Sequence, residues 1–207
     1  MSKLQTPKIA VVILAAGASK RMGTPKQLLN WGEESLISQT IKKALELKTQ
    51  EIVVVLGANY KLIKSEIQHF PITILNNADW ELGLGKSIAV SVNYLLKKTS
   101  IINGVLIKLA DQPFITVAYL NELICNFSTK THPIIATSYN NKRVGVPAVF
   151  DKVYFEKLSN LDNDFGARDI IRANESFIKV LTPPIKNVDL DSKEDYEKLY
   201  RENFNNK

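Results

Sequence analysis

Scarcity narrows this sequence first. It holds one cysteine, Cys125, which excludes an intramolecular disulfide framework. Its two histidines, His69 and His132, are far apart and have no neighbours at metal-ligand spacing, so a histidine metal site is not expected. No apolar run approaches the ~20 residues that span a bilayer, and no charged segment followed by an apolar one opens the chain as a secretory signal. The expected setting is the cytoplasm, with no membrane partner. Cations outnumber anions, 27 to 21, for a net charge of +6, but they are scattered and nowhere form a block. No basic–aromatic stacking platform accompanies them, so nucleic acid is not the expected partner and small anions are. Repeats, low-complexity tracts and linkers are also missing. With roughly 150 residues to a domain, the 207 residues read as one domain over 1–207, and 45% apolar content suffices for a proper core.

What is present is an alternation of strands and helices. Ile9–Leu14 and Glu51–Leu56 are continuous apolar runs, and Ile72–Leu75, Gly104–Leu109 and Pro133–Ser138 read as further strands. Between them, Leu36–Leu47, Tyr60–Phe70, Ser87–Leu96 and Thr116–Phe127 carry apolar residues at helical spacing, with Thr116 as an N-cap. Cys125 falls in the last of these patterns and reads as a core filler. The βαβα rhythm predicts an α/β fold: three layers, a Rossmann-like, mostly parallel sheet with helices on both faces. The last third is less regular. Val144–Phe150 reads as an antiparallel edge strand, Asp164–Ile171 as a short helix, Ile178–Leu181 as a strand, and Asn187–Phe204 as a strand end and then a helix started by Ser192 and Asp195.

Ligands of open α/β sheets bind outside the carboxyl ends of the strands. Three of those ends, at Ala15, Asn76 and Ala110, run into polar or glycine-rich loops. The first, "LAAGASKRMGTPKQLL" (residues 14–29), is small, flexible and cationic. Gly17 and Gly23 admit a ligand close to backbone N–H groups, which can form an anion-binding nest. Arg21 can grip phosphate oxygens in pairs, and Lys20 and Lys26 can act as point charges. The spacing matches neither a Walker loop nor a GxGxxG fingerprint, and an exposed cationic loop is the alternative.

This loop closely resembles the signature of the molybdenum cofactor cytidylyltransferase-like (MobA-like) nucleotidyltransferases. "LADQPFIT" (109–116), "NNADWELGLGKSI" (76–88), "GVPAVF" (145–150), "DFGARDII" (164–171) and "VDLDSKEDYEKL" (188–199) resemble further motifs of that family, in the same order. The resemblance implies a nucleotide-diphospho-sugar transferase-like fold and one reaction. An acceptor phosphate attacks the α-phosphorus of a nucleoside triphosphate, and pyrophosphate leaves. Catalysis of such a step is mainly positioning and charge neutralisation.

By resemblance, Leu14, Ala15, Ala16, Gly17, Arg21 and Lys26 bind the triphosphate, and Lys26 neutralises charge at the α-phosphate. Asp111 ends a strand at the family's metal position, where a hard carboxylate suits Mg²⁺. Without the resemblance it reads as a turn residue. A second metal carboxylate comes from Asp189 or Asp191, alternate residues that point to one side. Gly83, Gly85 and Ser87 face the base or ribose, Ser87 also reading as a helix cap. Asn76 and Asn77 are read as hydrogen-bonding or turn residues, and Lys86 as a phosphate or acceptor contact. Ala16, in Leu-Ala-Ala-Gly, favours CTP over GTP. Gly145, Pro147 and Arg168, or Arg143, face the acceptor, implied to be molybdopterin, although Val146 departs from the family's polar residue there. Lys108 is read either as emerging into the cleft near Asp111 or as lying at the sheet edge. The implied partners are the triphosphate, the phosphorylated acceptor, and a molybdoenzyme or its chaperone. The alternatives are guanylyl transfer, transfer to a sugar or polyol phosphate, or a nucleotide-binding accessory protein without catalysis.

Overall fold

A computed structural model describes residues 7–128, 133–139, 143–162, 164–184, 189–190 and 192–205. His132, Asp191 and the stretch 185–188 lie outside the described residues. Among those described, no helix is long and apolar enough to cross a membrane.

Strand β1 (Ile9–Ala15) is buried on both faces along its whole length, as a central strand must be. It pairs in parallel with β4 (Glu51–Leu56) on one side and β6 (Gly104–Leu109) on the other. A short hairpin, β2 (Asn30–Trp31) and β3 (Glu34–Ser35), precedes helix α1 (Leu36–Leu45), whose N-terminus Ser35 caps by accepting from the Ser38 amide. Helix α2 (Tyr60–Ile67) leads to β5 (Thr73–Asn76), the outer neighbour of β4. Helix α3 (Leu84–Leu96) returns to β6, and α4 (Val117–Asn126) follows it, capped by Thr116 as the sequence predicts. Strands β7 (Ile134–Ser138) and β8 (Val144–Asp151), helices α5 (Phe155–Ser159) and α6 (Arg168–Ala173), strand β9 (Ile178–Leu181) and helix α7 (Lys193–Tyr200) complete the order. The sheet runs β5-β4-β1-β6-β8-β7-β9.

Strand alternation divides the core in two. Ile9, Val11 and Ile13 of β1 pack with α1, α2 and α4, while Ala10, Val12 and Leu14 pack with α3, α5 and α6. This is the three-layer, mostly parallel sheet that the sequence predicts.

Three local expectations are corrected. Strand β8 is antiparallel but internal: it inserts between β6 and β7 instead of closing the edge, which is left to β9. Pairing with β7 jumps from Ala136↔Ala148 to Thr137↔Gly145, so Val146 and Pro147 bulge out of the ladder. A bulge is where an internal strand tolerates a residue without an N–H. Helix α3 starts three residues earlier than the periodicity implies, because Gly83, at φ 105°, turns the chain directly into it. Ser87 is therefore buried inside the helix instead of capping it, and its hydroxyl accepts from Asn77 Nδ2 at 3.0 Å. Cys125 is exposed, since α4 buries the stripe of Tyr119, Leu120, Leu123 and Ile124 and turns the next residue outward.

Candidate active site

The loop after β1 is tied down from within. Gln27, buried, donates through Nε2 to the carbonyls of Ala15 (3.0 Å) and Gly17 (2.9 Å). Ser19, at φ 54°, accepts the Lys26 amide on its hydroxyl at 3.1 Å. These contacts fold residues 16–27 back over the carboxyl end of β1 and aim Lys26 across to β6. There its amine forms an ion pair with Asp111 and also reaches the Leu190 carbonyl at 3.4 Å.

Asp111 lies in the turn that follows β6, two residues past the strand's last residue, Leu109. Its backbone is held from two sides. Thr40 of α1 donates to the preceding carbonyl of Ala110 at 3.2 Å, and the Leu190 amide donates to the Asp111 carbonyl at 3.2 Å. One carboxylate oxygen, Oδ2, takes the Lys26 ion pair. The other, Oδ1, is buried without a hydrogen-bond partner among the described residues. Gln112, also buried, donates to Asp189 Oδ1 at 3.0 Å and to the Tyr139 hydroxyl at 2.8 Å. The turn after β6 thus gathers Lys26, Asp111 and the Asp189–Leu190 segment from three distant parts of the sequence. The orphaned Asp111 oxygen and the nearby Asp189 carboxylate are hard donors of the kind a divalent cation such as Mg²⁺ takes.

A cavity of about 360 Å³ opens here, lined by Leu14, Ala15, Ala16 and Gly17 from the first loop, by Lys26, and by Asp111. Gly83 and Ser87 line it from the α3 side, as does Trp80, a residue that sequence reasoning passed over. The ring of Trp80 sits so close to Gly57 that a Cβ there would come within 2.4 Å of the Trp80 Cβ. The expected site residues Arg21 and Gly85 are not among its lining: Arg21 is exposed on the loop and Gly85 is buried in the first turn of α3. Lys86 and Asn76 line a separate cavity on the outer side of α3, and Asn77 is buried as a structural bridge from Leu56 to Ser87.

A second cavity, of about 460 Å³, adjoins the first along Leu84, Leu109 and Asp164. Gly145, Arg143, Arg168 and Asp189 face it, together with Tyr139 and Phe165. Pro147 does not: it is buried in the β8 bulge, where its carbonyl accepts from Thr137 at 2.5 Å.

Lys108 neither emerges into the cleft nor lies at an edge. It occupies the central strand β6 on the same side as Leu106, is 1% exposed, and its amine has no hydrogen-bond partner among the described residues. Burial first, and then the nearby Lys43, lower its pKa from 10.5 to about 7 against an opposing pull from Asp111. Lys43 is itself lowered by burial, and it donates to the Pro113 carbonyl at 2.6 Å.

The second carboxylate was legible in the sequence only as far as the Asp189/Asp191 pair. Gln27, Trp80 and Gln112 fall within the quoted motifs, but neither they nor Tyr139 could be given these roles from sequence, because the roles depend on partners far away in the chain.

Known proteins resemble this chain in sequence and in fold. Nicotine blue oxidoreductase of Paenarthrobacter nicotinovorans is 31% identical over 180 residues, which is 83% of this chain and 85% of that protein. The purine catabolism protein PucB of Bacillus subtilis is 27% identical over 83% of this chain and 84% of its own length. The crystal structure of Rv0371c from Mycobacterium tuberculosis H37Rv superposes with a TM-score of 0.81 at 24% identity, covering 95% of this chain and all of that one. A manganese complex of the same protein superposes at 0.76 with 22% identity. The MobA-like NTP transferase domain matches residues 11–177, from within β1 to the turn before β9, so that the loop, the Asp111 turn and every described lining residue of the two cavities except Asp189 fall inside it, and the chain belongs to that nucleotidyltransferase family.

Proposed function

We propose that this chain, read as one transferase domain over residues 1–207, transfers CMP from CTP to the phosphate of molybdopterin or the molybdenum cofactor in the cytoplasm, releasing pyrophosphate. One observation carries the reading. A lysine from the first loop and the Asp111 turn meet at the carboxyl end of the sheet, beside a cavity walled by backbone from residues 14–17.

In that cavity the loop backbone receives the triphosphate, and Arg21, exposed on the same loop but outside the lining, turns inward to grip its phosphates. Lys26 is positioned to leave Asp111 for the α-phosphate, where an amine offsets the charge that builds as the acceptor oxygen attacks and the pyrophosphate oxygen departs. Asp111, with Asp189 or Asp191, would hold Mg²⁺. The manganese complex of the structural relative supports a divalent metal in this fold. When bound, such an ion neutralises phosphate oxygens and fixes their geometry. Gly83 and Ser87 confine the base, and Ala16 keeps the wall shaped for the smaller pyrimidine. The second cavity, with Gly145 and Arg168, seats the acceptor so that its phosphate enters beside Asp189. The CTP preference and the molybdopterin acceptor rest on the resemblance of the loop and strand-end motifs.

The test is pyrophosphate release with Mg²⁺ and each of CTP, GTP, ATP and UTP, with and without molybdopterin. Release only with CTP and molybdopterin supports the full reading. Release with GTP, or with sugar or polyol phosphates, replaces the base or the acceptor. Nucleotide binding without release from any acceptor would instead mark an accessory protein. The name of the 31% identical relative raises a redox alternative, and consumption of a reduced nicotinamide cofactor without pyrophosphate release would favour it. Lys26→Ala and Asp111→Asn are each expected to lower turnover by at least about a hundredfold with the fold intact by circular dichroism. Normal release by either variant removes that residue from the mechanism.

A further inference from the structure

The second cavity does not end at its arginines. Arg143, Val144, Arg168 and Ile171 form its far wall, and the same four residues line a third cavity, of about 640 Å³, that runs out to the edge strand β9. Arg172 faces this third cavity from α6, four residues after Arg168 and therefore on the same side of the helix. Among the described residues of the lining, Glu175 is the only acidic one, beside the guanidiniums of Arg143, Arg168 and Arg172. The side chains of Arg168 and Arg172 make no hydrogen bond or ion pair among the described residues. The rest of the wall is apolar, from Val144, Ile171, Ile178 and Val180.

Guanidiniums gathered in a concave, partly apolar trough favour an anion bound through paired N–H groups. Spare cations on an open surface would not need such a wall. The trough is also continuous with the acceptor cavity, which favours a small molecule reaching through it over an acidic peptide docking from outside. We propose that the third cavity binds a second anionic oxygen group of the acceptor, a carboxylate, phosphate or oxometalate, held by Arg172 with Arg168 and Arg143 at the threshold. The acceptor is then an elongated molecule, anionic at both ends, with one end reacting beside Asp189 and the other anchored under β9. Its assignment as the acceptor rests on the transferase reading, whereas the anion site itself does not.

Titration calorimetry of the full chain tests the site with inorganic phosphate and with molybdate as probes, at constant ionic strength. A Lys26→Ala background suppresses binding in the first cavity. In that background Arg172→Glu is expected to weaken both oxyanions by about tenfold or more, and Arg172→Lys to retain part of the affinity as a point charge. Equal affinity with and without Arg172→Glu overturns the proposal. So does polyglutamate binding that depends on Arg172 while neither oxyanion binds, which would make the trough a docking surface for an acidic polypeptide. The titration uses no nucleotide and no acceptor, so its failure is distinct from a lack of pyrophosphate release.

Discussion

Lys108 places an amine in the middle of an apolar sheet with no hydrogen-bond partner among the described residues. Desolvation disfavours its charged form first, and Lys43 adds to this, so its pKa falls from 10.5 to about 7. The consequence for stability has a definite sign. Between about pH 7 and 10.5 the unfolded chain holds a proton on this lysine that the native chain does not. Stability therefore rises with pH across that window, and the penalty is complete below it. Lys108→Met is expected to stabilise the protein at pH 6 by about 1–3 kcal/mol, the cost of an unpartnered buried polar group. The gain should shrink as pH rises towards 10. Urea denaturation of both proteins at pH 6 and 9 checks this, and equal midpoint differences at the two pH values would count against it. The sequence showed a charge within an apolar strand. Its neighbours across the fold, which set the direction of the shift, lie in other elements.

At the scale of elements, α7 shows how a helix with almost no buried surface serves the site. None of its residues is buried, yet Tyr196 and Tyr200 pack on Trp31, with Trp31 and Tyr200 ring centroids 6.1 Å apart. Trp31 also meets Phe114 edge-on at 5.5 Å, and the Tyr196 hydroxyl donates to the Asn30 carbonyl at 2.8 Å. Trp31 and Leu190 belong to the same small core, and Leu190 is bonded to the Asp111 backbone. The cluster thus fixes the segment that brings Asp189 to Gln112. Trp31→Ala should cost about 3–5 kcal/mol of packing and lower turnover more than nucleotide affinity, since the first loop is held separately by Gln27. Urea denaturation and steady-state kinetics read both effects. A wild-type rate in a destabilised Trp31→Ala protein would detach the cluster from the site. The helix and its Ser192 cap were legible from periodicity and the capping pattern. The docking of α7 on a hairpin of two-residue strands, with Tyr196 bonded to Asn30, 166 residues earlier, was not, because no local signal encodes a long-range aromatic contact.

At the scale of the whole molecule, three cavities adjoin one another through shared lining residues, from the loop after β1 past Asp189 to the arginines beside β9. The net charge of +6 adds a long-range attraction for anionic substrates. Raising ionic strength from about 0.05 to 0.5 M, which shortens the screening length several-fold, is expected to raise KM for the nucleotide while leaving kcat nearly unchanged. A salt-independent KM would confine the electrostatics to direct contacts. The amino-acid sequence by itself determined the alternation of elements, the apolar strands that had to be covered on both faces, and the loop and strand-end motifs that carry the family. Each of these is written in adjacent residues or in a short period. Only the tertiary structure decided that β8 lies inside the sheet, that Ser87 is a buried strut, that Lys108 is deeply buried, and that Gln27, Trp80 and Gln112 build the site. Those outcomes depend on which strand pairs with which and on contacts between distant segments, and pairing is settled by the competition of whole faces for burial.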